Sequence, residues 1–211
     1  MKMLWKVCGM RDEQNIRDVL ALGPDFMGFI FYIKSKRYAG TQLSEALLTN
    51  WEFPTKKVGV FVNENLTTLF ETVKRFNLDY IQLHGDEDVE YCKIVSEAGL
   101  RIIKAFAVDE TFDFASVFPF ENSVDFFLFD TKASGGYGGH GKSFDWSLLN
   151  QYKGAVPFFL AGGIDNENIL NLKEIVSSGL FALDINSRFE DEPALKNLAK
   201  LSNFKNQLEL F

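Results

Sequence analysis

Eight short apolar stretches of strand length punctuate the chain, at Met3–Cys8, Phe26–Tyr32, Lys57–Val62, Tyr80–His84, Arg101–Val108, Val124–Asp130, Val156–Ala161 and Leu180–Ile185. Between them lie polar segments whose apolar residues keep helical spacing. Leu66, Leu69, Phe70, Val73 and Phe76 share one face, as do Ile169, Leu172, Ile175 and Val176. Leu195, Leu198, Leu201, Phe204 and Leu208 predict a closing helix, entered through Asp191-Glu192-Pro193 with Pro193 in its favoured first turn. The helix after the second stretch is short, Gln42 to Leu48, and is broken by Trp51 to Pro54. Strands apolar on both faces, each followed by a helix, predict a parallel sheet covered on both sides. Eight such beats predict an α/β fold closed into a (β/α)8 TIM barrel, because an open doubly wound sheet uses about five to seven strands.

The 211 residues contain no low-complexity linker or composition shift, so residues 1–211 are expected to form a single barrel catalytic domain. Hydrophobic residues at 46% and charged residues at 24% exclude a disordered chain. The longest uncharged apolar run, Gly154 to Ile164, is stopped by Asp165, short of the roughly 18–20 residues of a membrane span. Lys6 and Arg11 interrupt the N-terminal stretch too soon for a secretory signal. Two cysteines, Cys8 and Cys92, make neither a disulfide framework nor a structural zinc site, and a cytoplasmic location is expected. A net charge of −7 lacks the basic surface that nucleic acid requires. An anionic ligand must therefore be held locally, by glycine loops, helix ends or single cations. The 22 phenylalanines point to bulky packing and identify no ligand.

In a barrel, chemistry sits at the C-terminal ends of the strands, so the polar groups there carry the information. The first stretch ends in Lys6-Val7-Cys8-Gly9, and period two puts Lys6 and Cys8 on one face. Cys8 reads either as a small buried hydrophobe or as a catalytic thiol before a glycine turn, while Cys92 reads as helix packing. The fourth ends in Gln82-Leu83-His84, with Gln82 and His84 sharing a face as core groups or as ligand contacts. Asp130, after four apolar positions, reads as a cap or as a carboxyl whose apolar burial would raise its pKa and supply a neutral acid. Gly162-Gly163 after the seventh stretch and Asn186-Ser187 after the eighth lie in the two loops where such barrels usually bind phosphate; an ordinary tight turn is the other reading. Asp184 faces inward if the period holds. Strand eight then closes on strand one, and Asp184 is expected to offset the charge of Lys6.

Gly136 to Ser143 fits the phosphate-loop pattern G-x-x-x-x-G-K-[ST], but glycine fills five of the seven positions 135–141, so an accidental match is easy. Asp145 reads as a helix N-cap two residues beyond the Lys-Ser pair, which makes the segment a flap over the strand ends rather than a nucleotide cradle.

With those residues in view, the chain resembles the phosphoribosylanthranilate isomerase family over nearly its full length. The resemblance runs through KVCGM (6–10), GFIFYIKSKRY (28–38), VGVFVNE (58–64), IQLHGDE (81–87), FDT (129–131), YGGHGKSFDW (137–146), AGGID (161–165) and DINSRFE (184–190). It implies an Amadori rearrangement of N-(5-phosphoribosyl)anthranilate in tryptophan biosynthesis, without metal or organic cofactor, by a monomer or homodimer. It implies Cys8 as general base and Asp130 as general acid. Substrate would be held by Arg37 as a clamp on the anthranilate carboxylate, by Gln82 and His84, and by Gly162, Gly163, Asn186 and Ser187 around the phosphate. Lys6 is a candidate source of the field that would lower the Cys8 pKa.

Two positions depart from the family pattern: Arg188 where glycine is usual, and His140 where a small hydroxyl residue is usual. If position 188 needs a positive φ, arginine is strained there. Three alternatives differ in class or substrate: a histidine-pathway aminoaldose isomerase, which has aspartate rather than cysteine at the first strand end; a nucleotide-binding protein using Gly136–Ser143; and a catalytically silent barrel that only binds.

Overall fold

The computed structural model describes residues 3–131, 145–174 and 179–210. The strands β1 (Leu4–Val7), β2 (Phe26–Ile30), β3 (Lys56–Phe61), β4 (Tyr80–Leu83), β5 (Arg101–Val108), β6 (Phe126–Thr131), β7 (Phe158–Leu160) and β8 (Leu180–Ile185) follow one another around a closed barrel. All eight pairings are parallel, and β8 returns to β1 with Lys6 opposite Asp184. Two strands, β5 and β8, coincide with the expected stretches. The others differ by one or two residues at an end.

Two apolar clusters fix which face of each strand looks inward. Phe26, Val58, Tyr80, Ile103, Leu128, Phe159 and Ala182 pack together inside the barrel, with Leu4, Phe126 and Phe181 against them. Trp5, Val7, Met27, Phe29, Phe61, Ile81, Leu83, Phe127, Phe129, Leu183 and Ile185 pack outward against the helical layer. The floor of the barrel is aromatic, with Phe26 set edge-on to Tyr80 and Phe159. Counting in twos from Leu4, Tyr80, Leu128 and Ala182 leads upward to Lys6 and Cys8, Gln82 and His84, Asp130, and Asp184. The polar residues at the strand ends thus share the phase of the inner core.

At the opposite end the chain repeats one device three times. Asp25, Asp79 and Asp125 each accept, through the side chain, the backbone N–H of Trp5, Lys57 and Ile102 at 3.0, 2.7 and 2.8 Å. Their own N–H groups return to the carbonyls of the same residues. Each aspartate directly precedes an even-numbered strand and pins it to the odd-numbered strand before it, at the end of the barrel that serves stability.

The α-helices are α1 (Glu13–Leu20), α2 (Glu45–Thr49), α3 (Leu66–Phe76), α4 (Val89–Glu97) and α5 (Leu198–Leu208). Each begins at a side-chain N-cap, respectively Asp12, Ser44, Asn65, Asp88 and Asn197. Among the described residues, the connections after β5, β6 and β7 carry the 3-10 helices Phe114–Phe120, Trp146–Gln151 and Ile169–Glu174, where the spacing predicted α-helix. Pro119 inside the first explains its geometry, since it removes a donor that an α-helix needs. Asp145 caps the second, as its spacing predicted. Ile175, Val176 and the Gly136–Ser143 segment with His140 lie outside the described residues.

The entry to the closing helix is a correction. Glu190–Glu192 and Leu195–Lys196 form an antiparallel hairpin, β9 and β10, and Pro193 sits in its turn rather than in a first helical turn. Ala194 takes a φ of 71°, which no helix start permits, and α5 begins only after Asn197. Among the described residues, no helix is long and apolar enough to cross a membrane.

Candidate active site

Lys6 is the hub of the barrel mouth. It is fully buried, and its Nζ donates to Asp184 Oδ2 at 2.7 Å and to Gln82 Oε1 at 2.8 Å. The expected pairing with Asp184 is present. A lysine buried without a carboxylate would lose its charge. Burial pulls the Lys6 pKa down, but Asp184 and Cys8 together hold it above the ordinary lysine value. Burial conversely pushes Asp184 above the carboxylate range despite Lys6. Asp184 Oδ1 has no hydrogen-bond partner among the described residues.

Cys8 lies two residues along, on the same face as Lys6. Its N–H continues the β1 ladder to the Ile185 carbonyl at 2.9 Å. The facing residue on β2 must be small: a Cβ on Gly28 would stand 2.7 Å from Cys8 Sγ and 3.2 Å from Lys6 Cε. Burial pushes the thiol up, and although Lys6 and Lys196 pull it down, the net direction is upward. The expectation that the Lys6 field would depress it is therefore half right: the field is there, but desolvation outweighs it.

On the far side, Asp130 is the last residue but one of β6, its side chain 14% exposed. Its Oδ1 accepts the Thr131 N–H at 2.8 Å, and its Oδ2 faces His84 Nε2 at 3.5 Å. The carboxyl is thus set among polar groups at the mouth, which corrects the expected apolar pocket. His84 completes the span back to Gln82, whose Nε2 is 2.8 Å from His84 Nδ1. Gln82 is 1% exposed, with both ends of its amide committed to protein.

Gly162 and Gly163 follow β7 with φ of 88° and 72°. A side chain at Gly162 would collide with Thr131 Oγ1 and reach within 2.9 Å of Asp130 Oδ1, so this turn lies against the Asp130 carboxyl. Asn186 and Ser187 follow the neighbouring strand β8, and Asn186 Oδ1 accepts from Lys196 Nζ at 2.8 Å. Arg188 is exposed in a short 3-10 turn, Ser187–Phe189, and is not among the positive-φ residues, so the feared strain does not arise.

Arg37 stands beside Gly9 and grips Glu190 in a fork, Nε to Oε1 at 2.9 Å and Nη2 to Oε2 at 2.6 Å. Lys196, 2% exposed, closes on the same carboxylate at 2.5 Å. Burial pushes Glu190 up, but Arg37 and Lys196 together hold it below the usual carboxylate range. The Asn15 side chain clamps the Lys196 backbone N–H and carbonyl. Sequence reasoning missed Glu190 and Lys196. The turn dipeptide Pro193-Ala194, between Glu192 and Leu195-Lys196, was the available signal.

Burial lowers Lys196 to about 8, more than Glu190 can offset. An unfolded lysine keeps its proton to 10.5, so between these values the unfolded state binds more protons and stability rises with pH. Relative to Lys196→Met, the wild type should gain up to about 3 kcal/mol from pH 7 to pH 10.5, with most of the gain above pH 8. Urea unfolding of both proteins across that range checks it; a difference independent of pH would contradict the burial of this charge.

Fold and site together define a class: a (β/α)8-barrel enzyme with a thiol, a carboxyl and a buried lysine–aspartate pair at the C-terminal face. The family model of N-(5'phosphoribosyl)anthranilate (PRA) isomerase matches residues 5–207, and the chain belongs to that family. It is 46% identical to the N-(5'-phosphoribosyl)anthranilate isomerase of Parabacteroides distasonis, covering 98% of this chain and 93% of that one. Against the enzyme of Phocaeicola vulgatus, identity is 41% over 98% of both chains. The crystal structure of phosphoribosyl anthranilate isomerase from Thermotoga maritima superposes with a TM-score of 0.86 at 30% identity, over 99% of this chain and 100% of that one. A phosphoribosyl anthranilate isomerase in complex with reduced 1-(o-carboxyphenylamino)-1-deoxyribulose 5-phosphate superposes with a TM-score of 0.81 at 27% identity, over 99% of this chain and 100% of that one.

Proposed function

We propose that this chain converts N-(5-phosphoribosyl)anthranilate into 1-(o-carboxyphenylamino)-1-deoxyribulose 5-phosphate, in tryptophan biosynthesis, with Asp130 as general acid and Cys8 as general base. The observation that carries the assignment of roles is that both groups point inward from the C-terminal strand ends, β1 and β6, across one mouth spanned by Lys6, Gln82 and His84. A single sugar ring placed there meets a carboxyl on one side and a thiol on the other.

Opening the furanose ring needs a proton on the ring oxygen, which Asp130 donates. The iminium so formed acidifies the proton on the adjacent C2. Cys8, as thiolate, removes that proton to give an enolamine that tautomerises to the ketone. With the thiol raised by burial, the reactive thiolate is the minority form at neutral pH, held by Lys6. The turns after β7 and β8, with Gly162, Gly163, Asn186 and Ser187, take the phosphate, as in other barrels of this kind. Gln82, enclosed and fully engaged, is better placed to support the site than to touch substrate. We place the enzyme in the cytoplasm, as a monomer or homodimer; a Thermotoga maritima relative at 28% identity is a dimeric enzyme from which monomers have been generated.

Arg37 fits the substrate carboxylate because Glu190 occupies only its Nε–Nη2 edge, and the three other N–H donors of the fork have no partner among the described residues. Arg37→Ala should raise KM by at least about tenfold with little change in kcat, since it removes binding to a group that does not react. Steady-state kinetics decide it, and an effect confined to kcat would contradict the clamp. The reading as a whole is tested by turnover: the purified chain should abolish the fluorescence of N-(5-phosphoribosyl)anthranilate, and no turnover would refute it.

A further inference from the structure

Between Lys6 and Asp130 the mouth is bridged by two side chains that no step of the reaction uses, Gln82 and His84. Chemistry alone fixes the direction of their hydrogen bonds. Lys6 is an ammonium and only donates, so the group 2.8 Å from it must be the amide oxygen of Gln82. The amide nitrogen then faces His84 Nδ1 at 2.8 Å and donates to it. Nδ1 is thereby an acceptor, and the ring carries its proton on Nε2. Nε2 lies 3.5 Å from Asp130 Oδ2, within ion-pair reach but short of a formed hydrogen bond. Asp130 Oδ1 already accepts the Thr131 N–H.

We propose that Gln82 and His84 are positioning residues for the general acid. Lys6 orients the Gln82 amide, Gln82 fixes His84 as the Nε2–H tautomer, and His84 presents that N–H to the Asp130 carboxylate as it forms. The proposal rests on the reading of Asp130 as the acid. No proton travels along the chain, because an amide passes one only by becoming an imidic acid; the array acts as a template of polarity. The proton of Asp130 goes to the ring oxygen, and the negative charge left behind is met by two donors set in place beforehand. One of them, at 3.5 Å, has room to tighten as that charge develops. Such help is realised in the transition state and not in substrate binding, so it belongs to kcat.

Ring 1H–15N correlations of the full-length protein at pH 7.5 test the tautomer directly. The chain has two histidines, and loss of one signal set in His84→Gln assigns them. A neutral ring protonated on Nε2 is expected; a proton on Nδ1, or on both nitrogens, overturns the proposal. Kinetics test the purpose. Glutamine reaches its amide to the Nε2 position and asparagine only to Nδ1, so His84→Gln should retain kcat within about fivefold. His84→Asn and Gln82→Glu should each lose about tenfold or more in kcat with KM within about twofold. Equal losses in the Gln and Asn variants overturn the proposal, and so does a loss expressed in KM, which would make His84 a substrate contact. On an Asp130→Asn background, His84→Asn should cost no more than about twofold further, because the group it serves is gone; an undiminished second loss overturns it. Should Asp130→Asn itself turn over normally while His84 keeps its Nε2 proton, the acid assignment fails and takes the purpose of the template with it, leaving the tautomer standing.

Discussion

Cys8→Ala is expected to lower kcat by at least about 10²-fold while leaving KM within about twofold. The thiol lies beside Lys6, an ammonium tied to Asp184 and Gln82 that has no lone pair with which to take a proton from C2. Its removal deletes a proton-transfer partner without touching the residues proposed to hold phosphate or carboxylate. Cys8→Ser is the sharper control. It preserves size against the close wall at Gly28, yet a hydroxyl is a far weaker source of anion, so it should not rescue. Because burial raises the thiol, the thiolate fraction and with it kcat should climb through the neutral range as pH rises, up to the point where another group limits. Lys6, Asp184 and Lys196 are the charged groups that act on it. Near-wild-type turnover in either variant, or a flat pH profile over that range, would remove Cys8 from the mechanism.

The barrel was legible because its strands are buried on both faces and so appear as continuous apolar runs bounded by polar segments. The same period of two carried the reading into the site. Lys6, Cys8, Gln82, His84, Asp130 and Asp184 share the phase of the inner core, and the Lys6–Asp184 pair follows once β8 is taken to close on β1. What failed to read falls into two kinds. Short connecting segments carry too few residues for periodicity to separate an α-helix from a 3-10 helix, and Pro119 was the neglected sign. Contacts between distant residues carry no local signal: Arg37 and Glu190 are 153 positions apart, and the hairpin that brings Glu190 and Lys196 to the site looked like a helix start. The direction of the Cys8 shift belongs to the second kind, because it depends on how much water the folded barrel excludes.

Asp130→Asn should cost kcat at least about 10²-fold, again with KM little changed. The amide keeps the shape of the carboxyl and can still accept the Thr131 N–H, so the strand end and the Gly162 turn packed on it should persist. What is lost is the proton for the ring oxygen, without which the furanose cannot open and Cys8 never meets an acidified C2. The defect therefore lies at the first step and should be bypassed by substrate already in the open-chain imine form, which Cys8 alone can carry forward. Single-turnover experiments that begin from the ring-closed and from the open form separate the two cases. If the asparagine enzyme is equally slow with both, Asp130 serves a later step; if it is fast with both, the carboxyl is not the acid. The Cys8→Ala enzyme offers the converse control, since loss of the base should leave both forms equally unreactive.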